Sequence, residues 1–76
     1  MGIQSLQTAL AAEIELIIGL RPAVDEDLFE AGLDSFGLLQ LVSFIEDELG
    51  TSVPDARLGE EHFRTVTTIA SWVRTP

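Results

Sequence analysis

Apolar residues at Ile3, Leu6, Leu10, Ile14, Ile17 and Ile18 recur at steps of three and four, while Gln4, Gln7, Glu13 and Glu15 fall largely off that stripe. This spacing predicts an amphipathic helix over 3–18, with Gly19 as its stop. Arg21 and Pro22 then open a connection that runs through Gly32, since a proline disfavours helix in the residue before it. So long a connection in so small a chain implies function or internal packing. Val24, Leu28 and Phe29 are its expected anchors in the core. The pattern resumes from about Ser35 to Leu49, with Gly50 as the stop. Leu38, Leu41, Val42, Ile45 and Leu49 form the stripe for burial, Phe36, Gln40, Ser43 and Asp47 the opposite side, and Leu39 the flank.

After a break at 51–54, Asp55–Leu58 and Glu60–Phe63 read as a short, irregular helix with Leu58 and Phe63 inward. Thr65 has the character of an N-cap, and Val66, Ile69, Ala70 and Val73 give a last helix to about Val73. No run alternates as a strand does. The expectation is therefore an all-α fold, a small four-helix bundle of three main helices and one short one, in a single domain over 1–76. No repeat or low-complexity tract interrupts it.

Composition narrows the functional classes. A chain of 76 residues is near the lower limit for an unaided core and leaves no room for a substrate pocket with a full catalytic apparatus. With 46% hydrophobic residues it is nevertheless a folding chain, not an acidic tail. The formal charge of -9 comes from thirteen Asp and Glu against four Arg and no Lys. Such a surface repels nucleic acid and anionic lipid and attracts protein surfaces rich in Arg and Lys. The absence of cysteine rules out disulfides and thiolate metal sites and accords with a reducing cytoplasm. No apolar run reaches membrane-spanning length, the N-terminus lacks a signal-peptide pattern, and Met1 accords with a discrete protein. A small, strongly charged chain is most simply a monomer.

Several residue patterns mimic chemistry without supporting it. His62 is the only histidine, and a triad with Ser35 and an acid finds no nucleophile-elbow pattern around the serine. His62 and Trp72 read as surface or packing residues. Counting a calcium loop from Asp25 puts Glu30 at the sixth position, where glycine is required, and Phe36 at the twelfth, where glutamate is required. No catalytic residue and no metal site is expected.

Ser35 is different. Gly32 permits a turn, Asp34 is a strong N-cap type, and an apolar-periodic run follows, so the Ser35 hydroxyl stands at a helix N-terminus. Backbone N–H groups there lack intrahelical partners and the helix dipole is positive, which suits an attached phosphate. From spacing alone, an ordinary helix-start serine that helps Asp34 cap the turn is the simpler reading.

The segment DLFEAGLDSFGLLQLVSFIEDELG, Asp27 to Gly50, reverses that preference, because it resembles the modification segment of acyl and peptidyl carrier proteins. Leu-Asp-Ser-x-Gly is closest to the D-alanyl carrier variants and to discrete carriers of biosynthetic pathways. The resemblance implies 4'-phosphopantetheine on Ser35, with Asp34 helping to present it, and an arm whose thiol carries acyl or amino-acyl groups as thioesters. It further implies a phosphopantetheinyl transferase, an adenylating ligase or acyltransferase, and downstream biosynthetic enzymes as partners, and no enzymatic activity of the chain's own. Phe36 departs from the usual leucine of the motif, and Gln40 stands where many members place an acid. The expected partner-docking face comprises Phe36, Leu39, Gln40, Ser43 and Asp47, with Glu46 beside it. Amino-acyl cargo is slightly preferred to fatty or polyketide cargo, with Gly37 taken as a further pointer. The alternative from another class is an acidic helical adaptor that binds a basic protein without covalent modification.

Overall fold

The computed structural model describes residues 2–73; Met1 and the last three positions of the expected domain lie outside the described residues. Among the described residues there are three α-helices, α1 (Ile3–Ile18), α2 (Ser35–Asp47) and α3 (Val66–Trp72), and α1 packs against both of the others. No strand occurs among the described residues. The short irregular helix divides into two 3-10 turns, Asp55–Arg57 and Glu60–His62, because Leu58 and Gly59 leave the helical region between them. Turns of this kind run only a few residues because their hydrogen bonds are poorly aligned.

The buried faces follow the apolar periodicity closely. Leu6, Leu10 and Ile14 of α1, Leu41 and Ile45 of α2, and Val66, Ile69 and Ala70 of α3 meet around Phe63, which is fully enclosed. Leu38, Val42, Ile17 and Ile18 pack on this cluster while half-buried. Three expectations of burial need correction. Ile3 is exposed at the first position of its helix, where no preceding turn covers it, and Leu58 is exposed in the joint between the 3-10 turns. Val24 is exposed as well. It serves through its backbone instead: its carbonyl accepts the Thr67 N–H at 2.9 Å and the Thr67 hydroxyl at 3.1 Å.

The long connection between α1 and α2 is wound, not slack. Within it the N–H groups of Ala31, Gly32 and Leu33 donate to the carbonyls of Asp27, Phe29 and Leu28. Leu28 and Leu33 point into the core, and Phe29 packs against it half-buried. Asp27 fixes the start of this turn. Its Oδ1 accepts the N–H groups of Phe29 at 3.0 Å and Glu30 at 3.1 Å, and its Oδ2 accepts Arg64 Nη1 at 3.1 Å. The Leu28 N–H donates to the Arg64 carbonyl at 2.8 Å, so the connection is sewn to the residues just before α3. The N–H of Glu30, with the Arg64 guanidinium and the N–H of Phe29 adding to it against a desolvation that opposes them, holds the Asp27 carboxyl below its ordinary value.

Candidate functional site: the first turn of α2

What stands at the start of α2 is set by the residues on either side of it. Leu33 is buried, Asp34 is extended at φ -118° and ψ -176°, and Ser35 is the first helical residue. The Asp34 Oδ1 accepts the Gly37 N–H at 2.8 Å, and its carbonyl accepts the Leu38 N–H at 2.8 Å. That is an N-cap in which the side chain satisfies one of the orphan donors of the first turn. Gly32, at φ 124°, lets the backbone turn into this geometry, which other residues adopt only with strain.

Gly37 is a second point of constraint. It is buried, and a Cβ built on it would lie 2.8 Å from Ile17 Cγ2 and 2.9 Å from Leu33 Cδ1. The first turn of α2 therefore lies against the last turn of α1, with the Ile17 side chain packed on the bare Gly37 backbone. This packing accounts for the glycine without reference to any cargo.

Ser35 is exposed, and its hydroxyl has no hydrogen-bond partner among the described residues. The N–H groups of Ser35 and Phe36 are likewise unpartnered there, since the Asp34 carboxylate takes only that of Gly37 and its carbonyl that of Leu38. A hydroxyl free of bonds, two free N–H donors and the positive end of a thirteen-residue helix form one small region. A phosphate esterified to this oxygen would be both unobstructed and electrostatically favoured.

The other expected site residues also lie at the surface. Phe36 is 71% exposed and Leu39 is 61% exposed, so neither folds back onto the connection. Gln40, Ser43, Glu46 and Asp47 are exposed along the same outward side of α2. Glu46 has a structural bond in addition, its Oε2 accepting the Val53 N–H at 2.9 Å. Leu33 was missed as a core residue. Its signal was available in the sequence: an apolar residue immediately before an N-cap, paired with one at the fourth helical position, here Leu38, is the pattern of a hydrophobic staple.

The residues that mimicked other chemistry have visible occupations. Asp27 is bound to Arg64, and Glu26 Oε1 accepts the Ala23 N–H at 3.1 Å. The Trp72 indole N–H donates to the His62 carbonyl at 2.9 Å and its ring meets Phe63 edge to face at 5.3 Å. His62 lies 3.6 Å from the exposed Glu61 and far along the chain from α2. Among the described residues no helix is long and apolar enough to cross a membrane.

Comparison with known proteins places this geometry in a group. The family described as phosphopantetheine attachment site matches residues 4–73. A D-alanyl carrier protein of Streptococcus uberis is 41% identical over 51 residues, which cover 66% of this chain. The matched stretch spans 65% of that relative's own length. No solved structure matches the chain. Proteins of the matched family hold 4'-phosphopantetheine covalently on a serine, and their part in chemistry is to carry, not to catalyse. With a match that runs from the first turn of α1 to the end of α3, the chain belongs to the phosphopantetheine attachment family.

Proposed function

We propose that the chain is a discrete carrier protein with 4'-phosphopantetheine on Ser35, and that it moves amino-acyl groups between partner enzymes. The observation that carries this reading is the state of the Ser35 hydroxyl, exposed and, among the described residues, unbonded beside two free N–H groups. The chain has five serines, and Ser5, Ser43, Ser52 and Ser71 do not begin a helix. In the modification, Ser35 Oγ attacks the β-phosphorus of coenzyme A, and the bond from that phosphorus to the bridging oxygen breaks. Adenosine 3',5'-bisphosphate leaves, and the hydroxyl proton passes to a base on the transferase. When bound, the arm supplies the thiol that holds cargo as a thioester.

Phe36 and Leu39, with Gln40, Ser43 and Asp47, form the docking face in this reading. Charge speeds encounter with basic partners while so small an apolar patch keeps release fast. The likeness to a D-alanyl carrier supports D-alanine or another amino acid as cargo, loaded by an adenylating ligase, with downstream biosynthetic enzymes as acceptors. The chain acts as a monomeric, single-domain, cytoplasmic protein in this scheme and contributes no catalytic group.

The test is incubation with coenzyme A and a broad-specificity phosphopantetheinyl transferase, followed by intact mass. A gain of one phosphopantetheine in the wild type and none in Ser35→Ala is the expected outcome. A folded wild type that stays unmodified would favour the acidic adaptor.

A further inference from the structure

Leu16, in the last turn of α1, is 82% exposed, more than Phe36 or Leu39. Its position on the molecule is fixed by its neighbours. Ile17 packs over Gly37, and Glu13, one turn earlier, lines a shallow groove with Gln40, Ser43, Phe44 and Asp47 of α2 and with Glu48 just after it. Leu16 thus belongs to the end of α1 that borders the beginning of α2. Leu20, two residues past the end of the helix, is exposed as well.

Among the described residues no cation matches the charge of the groove. Ion pairs among the described residues join Arg21 to Glu15 and Arg64 to Asp27, and His62 lies beside Glu61. Arg57 lies over the Trp72 ring at 5.4 Å. None of these cations reaches Glu13, Asp47 or Glu48. An occupant that complements the site therefore brings Arg or Lys for the groove and an apolar side chain for Leu16.

We propose that the last turns of α1, through Leu16 and Glu13, form the second wall of the docking site for the transferase that modifies Ser35. The inference rests on Ser35 as the attachment point and adds a helix that the face on α2 does not include. It selects the transferase among the partners for a geometric reason. That enzyme must bring coenzyme A to bonding distance of Ser35 Oγ, and so must lie over the junction of α1 and α2. Enzymes acting on the thiol work at the far end of a flexible arm and face no such requirement.

The experiment measures initial rates of modification against carrier concentration, with the full chain, coenzyme A and a broad-specificity phosphopantetheinyl transferase. Leu16→Gln and Glu13→Gln keep good helix formers, and each is expected to raise KM for the carrier about fivefold with kcat unchanged. Glu13→Gln also flattens the dependence of KM on ionic strength. Ile3→Gln, which removes another exposed apolar side chain at the opposite end of α1, leaves KM unchanged. Circular dichroism verifies the helices in all three. A wild type that is modified while Leu16→Gln and Glu13→Gln retain its KM overturns the second wall alone, as does an equal rise in Ile3→Gln. A wild type that is never modified overturns the attachment site and this surface together.

Discussion

The Asp34 carboxylate accepts the Gly37 N–H at 2.8 Å, and an asparagine amide oxygen in the same place would accept it too. The two substitutions at this position therefore separate the cap from the charge. Asp34→Ala is expected to cost about 1 kcal/mol in urea unfolding, whereas Asp34→Asn stays within a few tenths of a kcal/mol of the wild type. If the negative charge also helps present Ser35, Asp34→Asn folds normally yet is modified more slowly; an unchanged rate would confine Asp34 to capping. The turn, the cap and the serine at this site were all legible, since each is a residue type with a positional meaning. Gly37 was not. Read along the chain it stood beside an unusual Phe36 and invited a functional explanation, but its cause is Ile17, twenty positions earlier, and such a contact has no local signal.

Among the helices, α3 is the one least able to stand alone. Its seven residues are well below the length at which an isolated helix persists in water, so it is helical because Val66, Ile69 and Ala70 are buried and Thr65 caps it, accepting the Thr68 N–H at 3.0 Å. Trp72 binds α3 to the 3-10 segment through the His62 carbonyl and the Phe63 ring. Trp72→Phe keeps an aromatic ring and loses the N–H donor. Its expected cost is about 1 kcal/mol, with faster tryptic cleavage after Arg57 as the segment loosens, read by mass spectrometry under native conditions. Unchanged cleavage would mean that burial of Phe63 alone holds the segment. Helical periodicity revealed where the elements lie, but it could not fix the last turn of α2. That helix ends at Asp47, and Leu49 remains buried because Gly50, at φ 70°, turns the chain so that the Thr51 N–H reaches back to the Ile45 carbonyl. Burial continues past the helix there, and a stripe of apolar residues cannot distinguish the two.

For the molecule as a whole, a charge of -9 means that acidification has two opposed effects. Protonating carboxylates relieves their mutual repulsion, and it also removes the charge on which particular native contacts depend. Asp27 is the place where the second effect can be isolated, because it joins the α1–α2 connection to the residues before α3 and is held below its ordinary value by the Glu30 N–H foremost. A carboxyl with a lower pKa in the folded state takes up its proton first when unfolded. Its contribution to stability is therefore complete above the unfolded value, near 4, and is lost as pH falls through the lower folded value. Asp27→Asn preserves an acceptor for the N–H groups of Phe29 and Glu30 and deletes the charge. The expected result is a wild type more stable than Asp27→Asn by a constant margin between roughly pH 5 and 7, with that margin shrinking below about pH 4. Urea denaturation of both proteins across this range measures it. A margin that persists undiminished to about pH 2 would place the role of Asp27 in its hydrogen-bond geometry. The connection that delivers Ser35 to its helix would then be held without the Arg64 ion pair, and any loss of stability in acid would originate among the other carboxylates of the chain.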